Sequence, residues 1–592
     1  MFSGWLWLPA LCRTIPEPMP VTLDARDLKT LHIVEISAAC TLLFGAAALL
    51  FPGAADKFFR GIERSLAGFA ESKRLAVIVV LLSVIVVRLL ALPLLHLPVP
   101  SIHDEFSYLL MADTFAHGRL ANPPHPMWMS FESFHVNWFP KYASMYPPAQ
   151  GFALALGQIL GHPWIGVLLS EAAMCAAILW MLQGWLPARW AFLGGALAAL
   201  KLGIASYWMN SYWGGASAAI GGALVLGALP RIARRAKIGD VVFLGLGILI
   251  LANSRPYEGF LFCIPAALWF VWWLAGKIKS PMPLRVRVGQ VLLPLVAMLL
   301  LTAAFMGYYN WRLTGNPLLL PHVLNTRTYH TTGLFLWDHK KPEIHYANPQ
   351  FEEFYNGWER NNYNNTWPDV VRISEEKLVR YGLTYFWVGE FLALPAIPFL
   401  FRNRKMRLAL ATFLLVTAGS FAVIWSNAHY AAPLTCVVFV LAVQAIRYMR
   451  TMRIGARPVG VAFVRAIVLM LILDIGINVA RGICDPLLWP CEGDPSRVAV
   501  ADKLAHTPGK HLIMVRYEKD NHNIHDDWVY NGAEIDNAKV LWARDLDAEQ
   551  NAKLFAYFKD RKVWLVTPDS DNTYVEPYTA PDSITLDNSD VK

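Results

Sequence analysis

What most constrains this chain is a series of apolar segments separated by short basic runs. Twelve stretches are long and apolar enough to cross a bilayer if they tilt: 31–51, 75–95, 163–182, 190–208, 214–229, 241–252, 257–275, 289–309, 384–401, 408–425, 430–446 and 461–480. Segment 241–252 is short for a span and reads as broken or half buried. Segment 150–161 is too short to cross and is expected to dip into the membrane or lie flat on it. Of 592 residues, 55% are hydrophobic and 16% charged, which is more apolar surface than one globular core can hide. Lipid must cover much of it, and a mainly α, polytopic helix bundle follows.

Charge then sets the orientation. The basic runs are Lys57, Arg60, Arg64, Lys73 and Arg74; Arg231, Arg234, Arg235 and Lys237; Lys277, Lys279, Arg285 and Arg287; Arg402, Arg404, Lys405 and Arg407; and Arg447, Arg450, Arg453 and Arg457. Counted span by span, all five fall on one side, the cytoplasmic one. The formal charge of +8 is therefore topological and no nucleic-acid partner is expected. Three large regions, 96–149, 310–383 and 481–592, fall on the opposite, extracytoplasmic side of a plasma (inner) membrane. The last reads as a small soluble α/β domain, with strands near 511–516, 540–543 and 562–567 and a helix over 547–558. The chain thus divides into an N-terminal segment (1–74) with one apolar helix, a transmembrane domain (75–480) and the C-terminal domain (481–592). The first thirty residues lack the basic start of a cleavable signal, and Pro16, Pro18 and Pro20 break them.

Seven cysteines give no C-x-x-C and no metal spacing. Cys484 and Cys491 share one polar loop after the last span, and an oxidising compartment would bridge them.

The sharpest chemical signal is Ser101-Ile102-His103-Asp104-Glu105, just beyond the second span. Paired carboxylates at a membrane surface are costly to bury. Asp104 suits a base that deprotonates an acceptor hydroxyl, with Glu105 orienting or tuning it. The alternative is a helix N-terminus, whose first turn favours acidic residues. In Asn253-Ser254-Arg255-Pro256-Tyr257-Glu258-Gly259, Arg255 is the lone cation of a short outer loop and offers a donor fork to phosphate oxygens. A snorkelling Arg255–Glu258 pair is the other reading. Asn210, Tyr212 and Trp213, in a second outer turn, suit sugar contact or an aromatic belt. His429 faces the same side, as a structural or a substrate-facing residue. His322, His330, His339 and His345 fit no zinc pattern, so no metal and no cofactor are expected. The 522–528 run (His522 to Trp528) is either a glycan- or cation-binding loop or a polar loop in solvent.

The layout is that of a spanning helix, Asp104-Glu105, a long outer loop with Phe139-Pro140-Lys141-Tyr142 and Tyr146-Pro147-Pro148, alternating spans and an outer C-terminal domain. It resembles the GT-C glycosyltransferases, in the branch of protein O-mannosyltransferases and lipid A aminoarabinose transferases, over about residues 75–480. The resemblance implies that Asp104 is the catalytic carboxylate, that Lys141 contacts the donor phosphate and that Tyr146 lies in the substrate site. It implies a transferase that moves a sugar from a polyprenyl-phosphate donor to a hydroxyl on a glycan, lipid or protein. Segment 31–51 is an addition before the family's usual first helix. The rival reading is a lipid-linked sugar or polymer transporter, which would place its charges nearer mid-membrane and often carry repeats.

Overall fold

Helices dominate the computed structural model. It describes residues 25–278, 280–386, 393–425, 427–480, 495–518, 522–569 and 575–579, with the backbone alone over 25–34. Six helices among these are long and apolar enough to cross a membrane: Pro163–Trp185, Ala216–Arg235, Pro256–Leu274, Leu284–Thr314, Ala428–Met449 and Val459–Ala480. Lys73–Leu90 carries three basic residues, while Glu35–Leu50, Ile238–Ala252 and Ala393–Arg402 are shorter apolar pieces. Two expected spans fall short. Ala188–Lys201 stops at a run of turns through the buried Leu202–Trp213 segment, and Arg407–Phe421 is followed by a bend. Helix Pro148–Ile159 is the expected short piece, with Phe152, Leu156 and Ile159 exposed.

Burial separates two kinds of helix. Pro163–Trp185 and Ala428–Met449 are mostly covered by protein, whereas Leu284–Thr314 leaves Leu299, Leu300 and Leu301 bare, as a lipid-facing helix does. The inner helices approach backbone to backbone through glycine. A Cβ on Gly157 would fall 2.2 Å from the Gly166 nitrogen, fixing Pro148–Ile159 against Pro163–Trp185. A Cβ on Gly222 would fall 2.3 Å from the Pro433 carbonyl oxygen, seating the Ala428–Leu434 turn on Ala216–Arg235.

The strands expected near the C-terminus form at β3 (Lys510–Val515), β4 (Val540–Arg544) and β5 (Arg561–Val566), with helix Ala548–Tyr557 between the last two. They make a parallel sheet in the order β4-β3-β5, extended by an antiparallel β6 (Val575–Pro577). The near-continuous burial of β3 and β4 is that of strands covered on both faces. An earlier two-stranded hairpin, β1 (Val136–Asn137) with β2 (Ala143–Ser144), lies in the first long loop.

Candidate functional site

Asp104 and Glu105 occupy the first turn of helix His103–Ala116, and both are buried. Glu105 is spent on structure. One carboxylate oxygen accepts from the backbone N–H of Ser101 (3.0 Å) and Ile102 (3.4 Å), and the other from the N–H of Tyr212 (2.9 Å). It caps its own helix and ties it to the 209–213 turn. Burial raises its carboxyl to about 7, against the three N–H groups that favour the charged form.

Asp104 points the other way. Its carboxylate accepts a hydrogen bond from the Tyr146 hydroxyl and lies 3.8 Å from His135 Nδ1, which is itself 3.2 Å from that hydroxyl. The hairpin brings these partners in. Ser107 Oγ donates to the His135 carbonyl at 2.7 Å and lies 2.7 Å from Ser144 Oγ, which accepts from the Tyr146 N–H. His135 adopts a left-handed φ of 59°, a strained conformation for a residue other than glycine, of the kind that gathers at functional sites. Burial, then the Asp104 charge, raises the Tyr146 phenol well above its ordinary value, so it stays a proton donor. Burial lowers the His135 imidazole despite Asp104 beside it.

Arg255 lies within electrostatic reach of the same aromatic residues. Its guanidinium sits 4.1 Å from the centre of the Tyr430 ring and makes no hydrogen bond or ion pair among the described residues. It lines a small pocket with Tyr108, Pro147, Gln150, Ser217 and Ser254. Tyr108 stacks on Tyr146 at 4.5 Å, and both Tyr108 and Tyr430 feel the charges of Asp104 and Arg255. Next to this pocket is an apolar cavity of 630 Å³, lined by Pro148, Phe152, Leu249, Ile250, Met298 and Phe305 among others. Their linings are neighbours along the chain, Pro147 beside Pro148 and Asn253 beside Ser254, and the Ala149 N–H donates to the Asn253 carbonyl at 2.9 Å.

The other expected residues divide. Trp213 and Tyr430 flank His429, with ring centres at 4.4 and 4.8 Å, and His429 Nδ1 meets the Tyr207 hydroxyl at 3.2 Å. Glu258 is buried within electrostatic reach of Arg255. Asn210 is committed internally, accepting from Arg88 (2.7 Å) and donating to the Ser206 carbonyl (2.8 Å). Tyr212 and Tyr257 donate to the Pro98 and Gly419 carbonyls. Lys141 is exposed at the hairpin tip and has no hydrogen bond or ion pair among the described residues; the structure does not bring it to Arg255. Cys484 and Cys491 lie outside the described residues. Among those described, no group of three or more His, Cys, Asp or Glu side chains is placed to hold a metal.

The 522–528 segment is not the solvated loop that the sequence allows. Asp527 is buried in an ion pair with Arg544 (Asp527 Oδ1 to Arg544 Nη1 3.3 Å) and accepts from the Tyr517 hydroxyl at 2.6 Å. This unit covers the Asp104 helix: Tyr530 stacks on Phe106 at 4.4 Å, and the Ala533 N–H donates to Asp113 at 2.6 Å. The Tyr142 hydroxyl donates to the Asn531 carbonyl at 3.0 Å, and Arg119 pairs with Glu534. His525 thereby comes within electrostatic reach of Asp104. His135 and Tyr108 were not singled out in the sequence and Tyr430 only as the neighbour of His429, whereas His525 belongs to the 522–528 run that the sequence offered as a glycan- or cation-binding loop.

No protein-family model and no curated protein sequence matches the chain. Among solved structures it is similar to ArnT from Cupriavidus metallidurans, in the apo state and bound to undecaprenyl phosphate, at 14% identity and a TM-score of 0.46 over 83% of this chain and 93% of that one. It is also similar to the Archaeoglobus fulgidus oligosaccharyltransferase, in complex with Zn and sulfate, at 13% identity and a TM-score of 0.45 over 83% and 67% of the two chains.

Proposed function

We propose that this chain is a membrane glycosyltransferase that moves a sugar from a polyprenyl-phosphate donor to a hydroxyl acceptor on the extracytoplasmic face. One observation carries the reading. The 630 Å³ apolar cavity is lined by Pro148, Ala149 and Asn253, the chain neighbours of Pro147, Gln150 and Ser254 in the Arg255 pocket, and Tyr108 of that pocket stacks on Tyr146, which holds Asp104. A lipid tail, a phosphate cation and a base are thereby laid out in the order that such a donor needs.

The prenyl chain lies in the cavity and the phosphate meets the free fork of Arg255, a charge-assisted contact worth about 1.5–3 kcal/mol. Asp104 takes the proton of the acceptor hydroxyl and the freed oxygen attacks the anomeric carbon. The bond from that carbon to the phosphate oxygen breaks, with its electron pair leaving on the phosphate, where Arg255 meets the charge. A single displacement inverts the anomeric carbon. Tyr146 and His135 hold Asp104 in place, and Glu105 fixes the helix that carries it. Lys141 stands at the hairpin tip as a second phosphate cation for a donor that reaches the surface. The extracytoplasmic placement is supported by the basic runs, which all lie at the opposite ends of the spans.

A second reading, a transporter of lipid-linked sugars, draws on Glu171 and Asp474, buried carboxylates within two membrane-length helices. One experiment separates the two. Purified protein is incubated with a panel of polyprenyl-phosphate sugars, and release of polyprenyl phosphate is followed. Release that depends on Asp104 is expected of the enzyme. Sugar-lipid movement across vesicles with no release would replace it by the transporter.

A further inference from the structure

Beside Asp104, four outer segments bring together an aromatic lining whose polar atoms are left without partners. Trp358, from the 352–359 turn, stacks on Trp425 at 5.5 Å and 27°, and meets the His525 ring edge-on at 4.8 Å. His525 lies 6.2 Å from His103 and 6.0 Å from Phe354, and Phe354 lies 5.4 Å from His103. His103 is 2% exposed, yet its Nε2 has no hydrogen-bond partner among the described residues, and neither has the buried indole N–H of Trp425. The His525 ring likewise makes no hydrogen bond among them. Buried polar atoms of this kind call for a ligand or a water.

We infer that these residues form the acceptor subsite and that the acceptor is a carbohydrate, an inference that rests on the transferase reading above. A sugar offers an apolar C–H face to the Trp358 and Trp425 rings and, around its rim, hydroxyls that both donate and accept. The indole N–H donates to one hydroxyl, while the imidazoles of His103 and His525 donate to or accept from others. The lining also excludes the charged alternatives. Arg544, whose charge reaches His103, is already paired with Asp527 and so is not free for an anionic acceptor. Burial keeps both imidazoles below their ordinary value, hence neutral at pH 7. Asp104 then lies beside the seated sugar, in reach of a single hydroxyl. Since His525 comes from the C-terminal unit, that unit completes the subsite.

The test uses the full chain in lipid nanodiscs free of glycoside detergents. Tryptophan fluorescence is titrated with chitotriose, mannotriose, maltotriose and galactotriose, and with the peptide Gly-Ser-Thr-Gly. At least one trisaccharide is expected to bind saturably. Trp358→Leu should weaken it roughly tenfold, Trp358→Phe should restore most of the loss, and His525→Ala should weaken it severalfold. Absence of saturable sugar binding overturns the inference, as does an affinity that Trp358→Leu leaves unchanged. Binding of the peptide alone, lost in Trp358→Leu, assigns the subsite to a protein acceptor and also overturns it. Undecaprenyl phosphate is titrated in parallel. If it fails to bind while the sugar binds at Trp358, the donor reading falls and the subsite stands.

Discussion

Exchanging Asp104 and Glu105 separately for their amides should split activity from stability. In Asp104→Asn the side-chain oxygen still accepts from Tyr146, so packing is kept and only the base is lost. General-base removal is worth about 10²–10⁴ in rate, or roughly 3–5 kcal/mol of transition-state stabilisation. Glu105→Gln acts on the fold instead. Three backbone N–H groups converge on two carboxylate oxygens, and the amide turns one of those oxygens into a donor. At least one buried N–H is left facing an N–H₂, at a cost of about 1–3 kcal/mol. The pH dependence follows from the raised carboxyl. Its folded value of about 7 lies above the unfolded 4.5, so its contribution is fully present below pH 4.5 and is lost as pH rises through 7. The loss is on the order of 3 kcal/mol, and the slope should vanish in Glu105→Gln. Single-turnover transfer and thermal unfolding between pH 4.5 and 8, at matched protein amounts, read both effects. Near-parental transfer by Asp104→Asn refutes the base assignment, and a larger rate loss from Glu105→Gln than from Asp104→Asn exchanges the two roles.

Arg255→Lys keeps the charge and removes the fork, so undecaprenyl phosphate should bind about tenfold more weakly, and Arg255→Ala more weakly still; parental affinity in Arg255→Ala would shift the phosphate role to Lys141. Asp527→Ala strands the buried Arg544 and should destabilise the C-terminal unit by about 3–5 kcal/mol, read as early loss of its protection in hydrogen exchange. An introduced Ser570→Cys should react with a membrane-impermeant thiol reagent in intact cells; labelling only after lysis would invert the topology. Mass spectrometry of non-reduced peptides should find Cys484 joined to Cys491, and two free thiols there would leave the catalytic reading untouched.

The sequence alone indicated a bundle of apolar helices and the C-terminal strands, because each rests on local information. Runs of apolar residues report what lipid must cover, basic runs report sidedness, and a short run such as Leu512–Val515 reports a buried strand whatever lies around it. The Asp104-Glu105 pair stood out for the same reason, since two adjacent carboxylates beside a span are unusual wherever the rest of the chain goes. Tertiary structure alone decided that Asp104 turns to Tyr146 and His135 while Glu105 is taken up by backbone N–H groups. Glu105 is consumed by the N–H of Tyr212, a residue that no local pattern links to it. It also sent Asn210 to Arg88, left Lys141 at a hairpin tip and brought His525 within electrostatic reach of Asp104. The physical reason is that a polar side chain is defined by the partner it meets. Those partners lie far apart along the chain, where neither periodicity nor spacing carries a record of them.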